Sequence, residues 1–207
     1  MKKVSFLLPF LALLWSSVSY ADLIITEVMQ NPSTISDTDG EWFEIYNSGP
    51  SIVDLENYVI SDNDSDSHTI TGSLIVNPGQ YLVLARNGNN LTNGGLNADY
   101  VYASFLLANG ADEIVIRDDM NNELDRVEWD GGPNWPDPNG ASMTFVGATE
   151  SVDNNVGSNW AAATVSYETN NMGTPGTGPF SVVPEPGSVA LLGLGAFLLA
   201  TVRRLRA

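Results

Sequence analysis

The chain of 207 residues contains no cysteine. Disulfide scaffolds, thiol nucleophiles and zinc–thiolate centres are therefore excluded, and a folded domain of this composition has to stand on its hydrophobic core. Histidine is nearly absent: His68, in "SDSHT", is the only one, so any histidine-based triad has to use it. No serine sits in a G-x-S-x-G elbow to accompany it. No G-x-x-x-x-G-K-[ST] loop is present to cradle phosphates, and no G-x-G-x-x-G falls at a strand-to-helix turn. Basic residues are scarce, 8 against 25 acids. Lys2, Lys3, Arg203, Arg204 and Arg206 fall at the two ends, so the stretch from Asp22 to Glu185, which holds every acid, has only Arg86, Arg117 and Arg126. Such a surface repels phosphate backbones, which argues against nucleic acid as a partner. Cations and a hydrated polysaccharide remain compatible with it. Like charge on every copy argues for a monomer. Solubility outside the cell is the plain alternative reason for the acid excess.

Long hydrophobic runs are also lacking. The run from Phe6 to Val18 spans about 13 residues, too short for a helix across a hydrocarbon layer of ~30 Å. It follows Lys2 and Lys3 and ends in Ser19-Tyr20-Ala21, with small residues where a signal peptidase reads. Residues 1–21 are thus expected to be a signal peptide, helical in the membrane and cut after Ala21.

The second run, Ser188 to Val202, has about 15 residues and reaches roughly 22 Å as a helix. Gly193 and Gly195 weaken that helix. Arg203, Arg204 and Arg206 follow directly and leave the C-terminus in the cytoplasm by the positive-inside tendency. A short, oriented segment of this kind suits transient insertion through 188–202 before cutting, with a simple retained anchor as the alternative. Pro184-Glu185-Pro186, the glycine-spotted apolar run and the arginine cluster, in that order at the C-terminus, resemble the PEP-CTERM sorting signal of bacterial exported proteins. The resemblance implies cutting near Pro184-Glu185-Pro186 by the membrane protease exosortase, with release to the surface or into an exopolysaccharide-rich matrix.

Between the ends, helical periodicity is missing and strand signals dominate. Strands are expected over Leu23–Met29 ("LIITEVM"), Glu41–Asn47 ("EWFEIYN"), Ile52–Ser61 ("IVDLENYVIS"), His68–Ile70 and Gln80–Ala85 ("QYLVLA"). Further strands are expected at Tyr100–Ala103, Asp112–Arg117, Glu123–Trp129 and around Ser142–Val146. "DDMNN" joins two of them as a hairpin turn. Ala161–Thr169 reads as strand or irregular chain. "TPGTGP", Thr174 to Pro179, looks like a domain end. Many short strands separated by Asn, Asp, Gly and Pro argue for an antiparallel sandwich or barrel.

The succession "LIITEVMQNP", "GEWFEIYNSGPSIVDLENYVISD", "NPGQYLVLA", "LANGADEIVIRDDMNNELDRVEW" and "GTPG" resembles a lamin-tail domain, most diagnostically in "EWFEIYN" followed by "VDLENYVISD". The resemblance implies an all-β, immunoglobulin-like antiparallel β-sandwich. Such domains occur in nuclear lamins and in exported bacterial proteins, there often beside nuclease, phosphatase or adhesion modules. Asn87–Asp99 is longer and richer in Asn and Gly than that pattern. The expected division is a signal peptide over 1–21, the sandwich over 22–178, a linker over 179–183 and the sorting signal over 184–207.

Candidate chemistry is thin. Carboxylates abound, so residue type alone singles out no acid/base pair. Asp62, Asp64 and Asp66 alternate in "SDNDSDSH" and provide three hard oxygen ligands of the kind Ca²⁺ takes. The places where an EF-hand needs glycine and glutamate hold Ser67 and Ser73, which rejects that loop and leaves a looser calcium site or a solvated turn. Asp37 and Asp39 in "DTDGE" repeat the pattern more weakly. Calcium is the only cofactor suggested. Glu27 and Glu44 interrupt apolar strands and need hydrogen-bond partners wherever they are buried, most simply from loop backbone. Trp129, Trp135 and Trp160 lie near Gly/Pro/Asn-rich stretches, where they either stack on sugar rings or plug the ends of the sandwich. The expectation is an exported, non-enzymatic surface or matrix protein, processed by signal peptidase and exosortase and binding extracellular polysaccharide. The alternatives are an accessory domain or hydrolase of the cell surface, or a calcium-dependent carbohydrate-binding adhesin.

Overall fold

A computed structural model describes residues 23–167 and 171–180. The segments expected to form the signal helix and the C-terminal hydrophobic helix lie outside the described residues. Twelve strands form within them: β1 (Leu23–Met29), β2 (Trp42–Asn47), β3 (Val53–Asp54), β4 (Val59–Ser61), β5 (Ser67–Thr69), β6 (Ile75–Val76), β7 (Tyr81–Ala85), β8 (Tyr100–Val101), β9 (Ala111–Arg117), β10 (Glu123–Asp130), β11 (Met143–Phe145) and β12 (Trp160–Ala162). A single helical turn, α1 (Asp37–Gly40), and a 3₁₀ turn at Gly157–Asn159 are the helical elements among them.

The strands build a six-stranded sheet in the order β12-β11-β1-β2-β7-β8 and a four-stranded sheet in the order β10-β9-β4-β5, with β3-β6 as a separate ribbon. One core joins the two larger sheets, drawing Ile25, Val28, Phe43, Ile45 and Leu84 from the first and Ile60, Ile114, Ile116, Val127 and Trp129 from the second. All but one of the pairings are antiparallel; β8 runs parallel to β7, through Leu84↔Tyr100 and Ala85↔Val101. The Asn-rich stretch between those strands makes the crossover. Asn93 is buried there, donating to the Asn87 and Leu96 carbonyls and accepting from the Leu96 N–H.

The two central strands are buried along their whole length. Phe43 and Ile45 face the main core, whereas Trp42 joins Met29, Val83, Ala85 and Leu96 in a second apolar cluster. A sheet covered on both faces needs apolar residues at successive positions rather than strict alternation. "LIITEVM" and "WFEIYN" have that character.

A bulge between Ile25 and Glu27 interrupts the β1–β2 register. On its other side β1 meets β11 only through Glu27 and Val28, so Ile25, opposite Ile45 of β2, has no strand partner on that side. Side chains take over: the Asp125 carboxylate accepts the Ile25 N–H at 2.6 Å, and the Asn154 amide donates to the Ile25 carbonyl at 3.1 Å and to Asp125 at 2.8 Å. Asp125 belongs to β10, so this tie closes one side of the sandwich. His68 closes the other. Its Nδ1 accepts the Ala103 N–H at 3.2 Å, so Nε2 carries the proton and donates to the Tyr100 hydroxyl at 2.8 Å.

Asp125→Ala strands the Ile25 N–H and removes one of the two acceptors of the Asn154 amide. It is expected to cost about 2–3 kcal/mol of unfolding free energy, measured by urea denaturation at pH 7. A loss within experimental error would show that the tie is not needed.

Candidate functional site

The end of the molecule that holds the first and last described residues is built from β1, β2, β7 and the last described segment. Leu23 lies opposite Asn47, Ile24 opposite Tyr46, and Tyr46 opposite Tyr81. Phe180 packs there, its ring 5.2 Å from that of Tyr46 and 5.9 Å from that of Phe145, while Tyr46 and Tyr81 lie 4.5 Å apart. The Tyr81 hydroxyl accepts the Phe180 N–H at 2.8 Å and donates to the Phe180 carbonyl at 2.9 Å. Burial pushes the Tyr81 pKa well above its ordinary value, so the hydroxyl keeps the proton it donates. A groove of about 520 Å³ opens beside this point, between Leu23–Ile24, Leu124–Asp125 and the 150–154 loop.

Two buried carboxylates carry the chain to that end. Glu27 and Glu44 are 0% exposed and directly opposed across β1 and β2. Glu27 accepts the Thr174 N–H and the Thr174 hydroxyl, each at 2.8 Å, and the Ser142 hydroxyl at 2.5 Å. Glu44 accepts the Thr26 hydroxyl and the Gly176 N–H, each at 2.7 Å. The segment Thr174–Gly178 is thus strapped over the outer face of the six-stranded sheet. Its glycines serve close approach. Gly176 has φ +81°, and a Cβ on Gly178 would meet the Tyr81 ring at 2.2 Å.

Desolvation dominates the titration of these groups. It raises Glu27, and it raises Glu44 from 4.5 to about 8, with the facing Glu27 adding to the effect. Burial likewise takes Glu41 to about 7 against its Arg86 partner at 3.2 Å, and Asp125 to about 6.

The Asp62 carboxylate closes its own turn, accepting the Asp64 N–H at 2.9 Å and the Asp66 N–H at 3.0 Å. Among the described residues no three acidic or histidine groups converge as a metal site. Asp37 and Asp39 accept the side-chain amides of Asn109 and Asn87. Trp129, Trp135 and Trp160 are all buried, so they fill the core and offer no open face to a sugar. His68 serves the inter-sheet link. Arg86, Arg117 and Arg126 are each ion-paired to glutamate. The processing residues Ala21, Pro184, Glu185 and Pro186, and the cluster Arg203, Arg204 and Arg206, lie outside the described residues.

The sequence pointed to Glu27 and Glu44 but not to the segment they hold. Tyr81 and Phe180 were missed altogether. The usable signal was Phe180 itself, a lone large aromatic within Gly-, Pro- and Ser-rich chain.

Each of the raised carboxyls holds its proton more tightly folded than unfolded, so the stability they lend is complete below about pH 4 and drains away as pH rises toward 8. His68, lowered from 6.5, opposes this only below that pH. Melting temperature is expected to fall by roughly 5 °C or more between about pH 5 and pH 8.5. Glu44→Gln keeps both hydrogen bonds, because the Thr26 hydroxyl can turn to accept, and should flatten that slope. An unchanged slope in Glu44→Gln would remove Glu44 as its source.

Two family models match the chain: Lamin Tail Domain over residues 16–131 and the PEP-CTERM protein-sorting motif over residues 182–206. No curated protein matches it. The sorting motif marks an exported, cell-surface-directed protein processed by an exosortase, and neither family is a catalytic one. The first match covers more than half of the sequence and takes in both strands that carry the opposed glutamates: the chain belongs to the lamin tail domain family.

Proposed function

We propose that the mature protein is a non-enzymatic, immunoglobulin-like module of the cell surface or of an exopolysaccharide matrix, where it binds or spaces extracellular polysaccharide as a monomer. Signal peptidase cuts after Ala21. The segment 188–202 then holds the chain transiently in the inner membrane, with Arg203, Arg204 and Arg206 on the cytoplasmic side, until exosortase cuts at Pro184-Glu185-Pro186. On this reading 1–21 and 184–207 are addresses, the working domain runs from 22 through the packed Phe180, past the boundary expected at 178, and 181–183 joins it to the tail.

One observation carries the reading. Leu23 and Phe180, the first and last described residues of the packed body, lie at the same end of β2: Leu23 pairs with Asn47, and Phe180 packs on the adjacent Tyr46 and bonds to Tyr81 of β7. Both membrane-directed ends therefore leave from one pole, and the rest of the body projects away from the bilayer. The acid excess supports a hydrated, non-adhesive surface toward other anionic polymers. The commitment of His68 to the Tyr100–Ala103 link supports a non-enzymatic role. Calcium at Asp62, Asp64 and Asp66 forms no part of this reading, because the Asp62 carboxylate is taken by its own turn.

Mass spectrometry of the extracellular form is the test. Its N-terminus is expected at Asp22 and its C-terminus within Val183–Pro186, with Arg203, Arg204 and Arg206 gone. Glu185→Ala should move most of the protein to the membrane fraction at full length. Recovery of the wild-type chain from membranes with Arg206 attached would refute release.

A further inference from the structure

The Tyr81–Phe180 contact has the form of a latch. One hydroxyl both accepts from and donates to the main chain of Phe180, and the ring of Phe180 is buried against Tyr46 and Phe145. Upstream, the next fixed point is Thr177, whose N–H and hydroxyl donate to the carbonyl of Thr174, itself held by Glu27. Downstream, only Ser181, Val182 and Val183 separate Phe180 from Pro184. We infer that Tyr81 is a positioning residue for processing of the C-terminal signal: by latching Phe180 it fixes how far the cleavage segment reaches from the folded body. This rests on the exosortase reading above.

The lengths make the inference testable. Four residue steps from Phe180 to Pro184 span at most about 14 Å. A body of this size has a radius of gyration of about 15 Å. The cleavage segment is therefore short relative to the domain, and a membrane protease reaches it only with the terminal pole facing the bilayer. With the latch open, the chain is next held at Thr177, and seven steps give about 24 Å. Deleting Ser181–Val183 from the latched protein leaves one step, about 3.5 Å, whereas the same deletion with the latch open leaves four, about 14 Å. That last figure equals the wild-type reach. Opening the latch should consequently restore what the deletion removes.

Tyr81→Phe removes the hydroxyl and keeps the ring; Phe180→Ser opens the same contact from the other side. Processing of the full-length precursor is followed in cells by pulse-chase and mass spectrometry. The deletion in the wild-type background is expected to slow processing by at least about tenfold, and the deletion combined with either latch variant to return it to within about twofold of wild type. A double variant as slow as the deletion alone would overturn the inference, and so would a deletion processed at the wild-type rate. The latch is checked separately on the full chain in detergent. There the Phe180 amide should exchange at least about tenfold more slowly in wild type than in Tyr81→Phe. Equal exchange removes the latch, and the inference with it. A protected Phe180 amide in a wild-type chain that is never cut would refute the exosortase reading itself, and with it any positioning role for Tyr81.

Discussion

Two carboxylates set side by side in the middle of a sheet that is covered on both faces have to be given hydrogen bonds, because water cannot reach them and burying them bare costs several kcal/mol each. Glu27 and Glu44 impose that constraint on this fold. Their donors come from a neighbouring strand position, Thr26, from Ser142 at the start of β11, and above all from the main chain of Thr174 and Gly176. The last segment of the domain is thereby made obligatory. Without it both glutamates lose donors, and the second apolar cluster around Trp42 loses part of its cover: a Cβ on Gly173 would sit 3.1 Å from the Trp42 ring. Apolar residues at 27 and 44 could also have filled a two-faced strand. What the glutamates add is direction, since a carboxylate demands particular donors at particular places where a leucine accepts any neighbour.

The strands were legible wherever apolar runs were bounded by turn residues. β1, β7, β9 and β10 fall where the pattern of the chain puts them. "IVDLENYVIS" reads as one strand but forms two, β3 and β4. Asn57 adopts φ +68°, and the Tyr58 N–H donates back to the Leu55 carbonyl, so the chain turns inside an apolar run. β3 then pairs with β6, a two-residue strand too short to leave a periodic signal. The parallel β7–β8 pair was hidden for a different reason. Its crossover is organised by asparagine side chains bonding to main chain, a device that composition marks only as a loop.

The candidate site was half legible. That Glu27 and Glu44 needed partners followed from their place among apolar neighbours; which residues supplied them depended on contacts more than a hundred positions away. "TPGTGP" carries the composition of a boundary. Its glycines instead let the main chain press against Glu44 and the Tyr81 ring, and proline and glycine density cannot separate those two uses. The aspartates of "SDNDSDSH" show the converse. Alternating carboxylates are what a calcium loop needs, and also what a tight turn uses to cap its own N–H groups.

The fold divides its labour between two poles. Loops at the terminal pole are bound into the body by the Tyr81 hydroxyl and the Asp125 tie. At the opposite end, beyond Trp42 and Ala85, the loops are held to one another by side-chain amides: Asn87 donates to Asp39, and Asn109 to Asp37. That network keeps rigid a loop whose Leu91 is 90% exposed, at a cost in apolar exposure that a loop free to fold back would avoid. On the proposed reading, with both ends toward the membrane, this is the end turned toward the surroundings. An acidic body keeps such a surface from adhering to its own kind, because every copy repels every other at long range. On the proposed reading, the same charge leaves the far pole open to uncharged or cation-bearing polymers of a matrix.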